Sequence, residues 1–126
     1  MTTLTKGDLA QFTGTTQWFQ HPLCRNVHYT EGVQYVAEHG GAYWLIDKIA
    51  TLQLDPKIRA QEFQVWTLAN LQAGTLPPGK QPGWWLVATD GDGTTLHTER
   101  LDFSDFPLDE ISLWVEGDII LLPSEH

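Results

Sequence analysis

Three residues in one short stretch carry side chains that can bind a metal ion: His21, Cys24 and His28. Imidazole nitrogen and thiolate sulfur are ligands that zinc prefers, but a structural zinc site closes with four of them at characteristic spacings. The stretch contains neither a CxxC nor an HxxxH pair. These residues are therefore candidate ligands only, and the sequence predicts neither a bound metal nor any other cofactor.

The same stretch offers the parts of a nucleophilic site, because Cys24 is the only cysteine of the chain. A reactive thiolate needs a nearby base, for which His21, His28 or His39 is available. It also needs a positive neighbour such as Arg25. A lone cysteine more often fills a small core position, and no family-type signature surrounds this one. A small metal- or cysteine-dependent enzyme built on this stretch is thus the alternative hypothesis, with no catalytic residue assigned.

Two acidic stretches have structural explanations. Asp90-Gly-Asp-Gly93 resembles a calcium loop but lacks the bidentate glutamate that closes one, and its residues are those of a tight hairpin turn. Carboxylates suited to acid–base work also occur at Asp102, Asp105, Asp109 and Glu110. No partner group accompanies them, so a solvated acidic loop is the preferred interpretation.

The chain has a formal charge of −9, from 16 acidic and 7 basic residues. Affinity for nucleic acids comes largely from Lys and Arg that displace counterions from phosphates, so we expect no direct binding of nucleic acid. The same charge steers a protein toward basic partners. A narrower hypothesis is an acidic decoy that occupies a nucleic-acid-binding site on another protein.

Length and composition predict one soluble domain over residues 1–126. Two domains would each be small for a self-sufficient core, whereas a hydrophobic content of 41% is ample for one. The first residues contain no apolar run long enough for a signal peptide or a membrane span, and a single cysteine allows no internal disulfide. We therefore expect a cytoplasmic protein without a membrane partner.

Helices are predicted in the first half of the chain. Thr5 begins a capping-box pattern that predicts a short N-terminal helix. Thr30 is a good N-cap for a second helix, which Gly40-Gly41 should end because glycine adopts positive φ angles freely. A third helix is predicted from about Ala42, and Pro56 should stop it.

Strands are predicted in the second half, where the apolar period changes to two from Glu62 onward. Glycine-containing turns predict hairpins at Asp90–Gly93 and at Glu116-Gly117, and three prolines with three glycines predict a loop from Ala73 to Gly83. The segment from Thr15 to Arg25 is predicted as a loop or a short edge strand. Together the pattern indicates an α+β fold, with N-terminal helices packed on one face of a four- to five-stranded antiparallel meander sheet.

Tryptophans on the predicted strands are the strongest interaction signal. Trp84 and Trp85 are adjacent, so their side chains must point to opposite faces of the sheet. At least one of them faces away from the helices, and an aromatic outer face of this kind is typical of an interface. Trp66, Trp84 and Trp85 are the interface candidates, and either a partner protein or a homodimer is expected to cover them.

Several phrases of the chain resemble a family of small proteins of unknown function found in bacterial genomes, plasmids and phages. They are LAQFTGT, YTEGVQYVAEHGGAYWLIDKIA, EFQVW and DFPLDEISLW, beginning at Leu9, Tyr29, Glu62 and Asp105. The resemblance implies an accessory role on mobile elements and assigns no activity. The leading hypothesis is a small acidic, non-enzymatic binding or regulatory protein that acts through a protein interface.

Overall fold

The computed structural model of the protein describes residues 18–71, 83–101 and 106–125. These ranges form an α+β fold whose elements follow in the order β1 Trp18–Gln20, β2 His28–Thr30, α1 Glu31–Gly40, α2 Tyr43–Leu52, α3 Pro56–Arg59, β3 Phe63–Leu71, β4 Gly83–Thr89, β5 Thr95–Leu101, β6 Glu110–Glu116, β7 Ile119–Leu121 and a 3-10 helix Pro123–Glu125. The helix predicted after Thr5, residues 73–82 of the predicted loop, and Asp102 and Asp105 lie outside the described residues.

The predicted helix boundaries are confirmed for α1. Thr30 is extended and its hydroxyl accepts the Val33 N–H, while Gly41 is left-handed with φ 62° and donates its N–H to Ala37. The helix α2 ends at Leu52, before Pro56. Pro56 is predicted only to stop a helix, but it also begins α3, directly after the N-cap Asp55. Proline fits this first helical position because the backbone N–H that it lacks would have no partner there. None of the described helices is long and apolar enough to cross a membrane.

The sheet differs from the prediction. Within the described residues its seven strands have the order β1-β2-β7-β6-β3-β4-β5, and β2 pairs parallel with β7, so the four- to five-stranded antiparallel meander is wrong. The two hairpins are confirmed, with Gly93 and Gly117 at positive φ in their turns. Strand β1 lies at the edge of the sheet, inside the segment predicted as a loop or a short edge strand, and pairs with β2. Both strands have three residues, too few to show a period, and the pairing of β2 with β7 joins distant parts of the chain.

The core lies between the helices and one face of the sheet, which we call the inner face. Paired residues of neighbouring strands share a face, and the pairs Trp66–Ala88, Leu68–Leu86 and Trp66–Leu113 are all buried. The helices add Val33, Val36, Leu45 and Ile49 to the same cluster. The opposite, outer face of β3, β4 and β6 carries half-buried apolar residues: Phe63, Val65, Trp85, Val87 and Trp114.

A buried carboxylate attaches the 3-10 helix to the start of α1. Glu125 Oε1 accepts the Thr30 hydroxyl at 2.6 Å and the Leu122 N–H at 2.9 Å, and Oε2 accepts the Gly32 N–H at 3.3 Å. The negative charge lies at the positive end of the helix dipole. Gly32 permits this approach, because a Cβ there would come within 2.6 Å of Glu125 Oε1 and 2.8 Å of Leu122 Cδ1.

Candidate functional site

The loop between β1 and β2 is held by His21, whose side chain is buried at 1% exposure. Its Nδ1 accepts the N–H groups of Cys24 at 2.9 Å and Leu23 at 3.2 Å, and its Nε2 lies 2.8 Å from Asp47 Oδ1. Because both partners of Nδ1 are donors, Nδ1 carries the lone pair and Nε2–H donates to the carboxylate. His21 therefore closes the turn and attaches the loop to α2.

In the structure, the candidate residues His21, Cys24 and His28 have different surroundings and do not form one site. Cys24 is half-buried against the core, and His28 lies on β2 with its backbone N–H donating to the Asp118 carbonyl at 2.8 Å. With both ring nitrogens already bonded, His21 cannot act as a base toward Cys24 while the loop keeps this conformation. Within the described ranges, no group of three His, Cys, Asp or Glu residues is arranged to hold a metal ion.

This loop, the end of α2 and α3 enclose a cleft of about 310 Å³, which we call the Cys24 cleft. It is lined by Leu23, Cys24, Arg25, Asn26, Val27, Ala50, Gln53, Leu54 and Arg59. A narrower cavity of about 110 Å³, the turn pocket, shares four of these residues and continues to Gln61, Glu62, Val115, Gly117 and Asp118. The cleft is at the small end of the size range of ligand sites.

Two arginines give the Cys24 cleft a positive charge in an acidic protein. Arg25 and Arg59 are exposed, and neither takes part in the ion pairs found among the described residues. No carboxylate of the described part of the chain lines the cleft itself, since Glu62 and Asp118 line only the turn pocket. An unpaired guanidinium is a strong, planar donor for a carboxylate.

Two leucines expose apolar surface on the lining of the same cleft. Leu23 is 86% exposed and Leu54 is 70% exposed, and in the described part of the chain only Trp18 and Tyr43 are further exposed large hydrophobics. Exposed apolar groups next to arginine are typical of a binding surface. Sequence reasoning missed this group because Arg25 and Arg59 are far apart along the chain, and neither shows a pattern of its own.

A buried amide network supports the floor of the cleft. Gln53 lines both cavities and exchanges two hydrogen bonds with Gln64, at 2.8 Å and 2.9 Å. Gln64 is 0% exposed and also donates to the carbonyls of Ile58 and Gln61, while Trp66 Nε1–H donates to its Oε1 at 2.9 Å. The network therefore fixes α2, α3 and β3 relative to one another.

The three tryptophans proposed as interface anchors lie in different places. Trp66 is 1% exposed on the inner face, so it is part of the core and not of the outer face. Trp84 shares the inner face with Leu86 and packs against the core, whereas Trp85 pairs with Ala69 and Arg100 on the outer face. The prediction that Trp84 and Trp85 point to opposite faces is confirmed, and the interface role of all three stays a prediction.

A second polar cluster connects α2 to the edge strand β5. Glu99 Oε2 lies 2.6 Å from Lys48 Nζ, and Glu99 Oε1 lies 3.1 Å from His97 Nε2. The hydrogen bond from Lys48, together with that from His97, lowers the pKa of the Glu99 carboxyl below its ordinary value, although partial burial opposes this. The cluster touches neither the Cys24 cleft nor the turn pocket.

Acid is expected to weaken this connection. A carboxyl whose pKa is lower in the folded state contributes stability above its unfolded pKa, and this contribution is lost as the pH falls through the folded value. Glu99→Gln should therefore lower the free energy of unfolding by about 0.5 kcal/mol at neutral pH, the size of a solvent-screened pair, and by nothing in strong acid. Urea titrations at the two pH values measure this difference, and an equal loss at both would contradict it.

His21 is expected to matter through Nδ1. His21→Ala removes a buried acceptor from two backbone N–H groups and should lower the free energy of unfolding by about 3 kcal/mol. His21→Asn places an oxygen near the position of Nδ1 and should recover about half of that loss. Urea unfolding of both variants measures this, and an asparagine variant no more stable than the alanine variant would refute the assignment.

A match to a known protein family covers almost the whole chain. Residues 3–126 match the model of a family of unknown function, DUF6876. No curated protein and no solved structure matches the chain.

Proposed function

Because the chain belongs to this family of unknown function, its role has to be inferred from its own geometry, and we propose that it is a non-enzymatic binding protein. The Cys24 cleft takes a segment of a partner protein that carries an apolar residue beside a carboxylate. The observation that carries this proposal is that Leu23 and Leu54 line one cleft together with Arg25 and Arg59, two arginines that form no ion pair with a described residue.

Charge complementarity selects an acidic occupant for the cleft. The two formal charges that described residues place on its lining are both positive, while the chain as a whole carries −9. A bidentate pair between guanidinium and carboxylate adds geometric specificity as well as energy. The surrounding negative charge repels acidic proteins that cannot reach the cleft, so recognition is restricted to segments able to enter it.

The alternative of a metal- or cysteine-dependent enzyme has less support from the same residues. A cysteine nucleophile needs a base within hydrogen-bonding reach. His21 has both ring nitrogens engaged, and among the described residues no hydrogen bond joins the ring of His28 or His39 to Cys24. Arg25 and the Cys24 thiol instead lie together on the lining of a cleft, where a guanidinium can bind a ligand carboxylate.

The decoy hypothesis is narrower and would use the acidic surface outside this cleft.

Self-association through the outer face of the sheet is a second candidate. The observation that favours it is the row of apolar residues there, including Phe63, Trp85 and Trp114, on the side opposite the helices. A two-fold dimer lets one apolar face cover its own copy. Charge repulsion opposes the dimer but is screened beyond about 8 Å in physiological salt. The homodimer predicts a scattering mass of two chains at high micromolar concentration, and a strict monomer would remove it.

Peptide selection tests the proposed binding function. A random-peptide display library is selected on wild-type protein, on the double variant Arg25→Gln/Arg59→Gln, and on the control Lys57→Gln. Lys57 is exposed on α3 and does not line the cleft. Wild type and control should enrich peptides with Asp or Glu beside an aliphatic or aromatic residue, and the double variant should not. Equal enrichment of the same peptides on all three proteins would contradict the proposal.

A further inference from the structure

The Cys24 cleft and the turn pocket are adjacent cavities whose linings carry different charges. Asn26, Val27, Gln53 and Arg59 line both cavities, so an occupant of the cleft can extend into the pocket without leaving the protein surface. Arg25 lines only the cleft and Arg59 lines both cavities, whereas the carboxylates of Glu62 and Asp118 line only the turn pocket. Neither carboxylate takes part in an ion pair with a described residue.

The backbone fixes the position of the two acidic residues. The Gly117 N–H donates to the Glu62 carbonyl at 2.8 Å, and the His28 N–H donates to the Asp118 carbonyl at 2.8 Å. Gly117 has φ 59°, which turns the chain between β6 and β7 beside the start of β3. Backbone hydrogen bonds thus hold the segments that carry Glu62 and Asp118 next to each other at the pocket.

We propose that the turn pocket binds a basic group of the partner segment. The recognised segment then carries a carboxylate and a cation in a fixed order. This inference rests on the proposed binding function and specifies its partner. The carboxylate pairs with Arg25 and Arg59 in the cleft, and a lysine, an arginine or an amino terminus follows in the turn pocket between Glu62 and Asp118. The side-chain amide of Gln61, which lines the turn pocket, is available to the peptide backbone between them, whereas the amide of Gln53 is already bonded to Gln64 and Ile49.

The fixed order of a carboxylate and a cation explains how an acidic protein can discriminate between acidic segments. Binding of a carboxylate alone leaves Glu62 and Asp118 without a cation, whereas a bipolar segment satisfies both ends at once. Binding in the reverse orientation would bring like charges together at each end, and like-charge contacts are a strong source of discrimination. The segment is therefore recognised in one direction only.

The experiment compares synthetic peptides selected on wild-type protein with versions of the same peptides in which each basic residue is replaced by glutamine. Affinities are measured by calorimetry on wild type, on Glu62→Gln/Asp118→Asn and on the control Glu110→Gln. All three altered residues are exposed, so the variants should fold. Wild type and control should prefer the basic peptide by about fivefold, as expected for two partly screened pairs, and the pocket variant should bind both versions equally.

The possible results separate the two proposals. Selected peptides without a basic residue, or a basic preference that survives in the pocket variant, would overturn the inference and leave the binding function standing. Failure to select any peptide that depends on Arg25 and Arg59 would overturn both. A basic preference lost only in the pocket variant supports the inference.

Discussion

Replacing Gln64 with leucine is expected to lower the free energy of unfolding by about 4 kcal/mol. Leucine has a similar size, but it leaves Gln53 Oε1, the indole N–H of Trp66 and the Gln61 carbonyl without the bond from Gln64, while the Ile58 carbonyl keeps the Gln61 N–H and Gln53 Nε2 keeps the Ile49 carbonyl. Unsatisfied polar groups in a dry interior cost about 1–3 kcal/mol each, with partial relief by relaxation. Urea titration followed by tryptophan fluorescence measures the loss.

The control for this variant is Gln34→Leu. Gln34 is half-buried on α1 and has no side-chain hydrogen bond among the described residues, so its replacement should change the free energy by less than about 0.5 kcal/mol. A Gln64 variant as stable as the control would mean that the amide network does not hold the elements around the cleft.

Gly32→Ala is expected to destabilise the protein by about 3 kcal/mol, although alanine favours an ordinary helix over glycine by up to about 1 kcal/mol. The reversed sign follows from the close contact, since the new Cβ would lie 2.6 Å from Glu125 Oε1 and 2.7 Å from Cδ. Either the 3-10 helix moves away and breaks its bonds to Thr30 and Gly32, or the start of α1 distorts.

A double-mutant cycle with Glu125→Ala separates the contact from helix propensity. Without the carboxylate, the alanine at position 32 meets only the flexible end of Leu122, so its cost should fall by about 1.5 kcal/mol relative to the wild-type background. Thermal and urea unfolding of the four proteins measure the coupling. Additive effects, or a stabilised Gly32→Ala, would contradict the close approach seen in the structure.

Local features of the fold were readable from the sequence because neighbouring residues determine them. Thr30 and Gly41 act as caps through bonds to residues within four positions, and Gly93 and Gly117 set the hairpin turns by their own φ angles. The parallel pairing of β2 with β7 had no such signal. It depends on contacts between distant segments, and the short strands involved show no hydrophobic period.

The candidate site was less predictable than the fold. The sequence directed attention to His21, Cys24 and His28, and the structure does place Cys24 on the lining of a cleft. The sequence could not indicate that His21 bonds the loop through Nδ1 and Asp47 on α2 through Nε2. Nor could it indicate that Arg59 lines the same cleft as Arg25. The sequence gives residue types and their spacing, whereas the site forms only when α2 and α3 pack against the loop.

The most direct test of the central claim uses Cys24, the only cysteine of the chain and a residue of the cleft lining. The alkylation rate of its thiol is measured with and without a saturating peptide chosen by selection on the wild-type protein. If the partner segment occupies the Cys24 cleft, the peptide slows alkylation of wild type and leaves the rate of Arg25→Gln/Arg59→Gln unchanged. A peptide that binds wild type tightly while Cys24 reacts at its free rate would place the binding surface elsewhere and contradict the account.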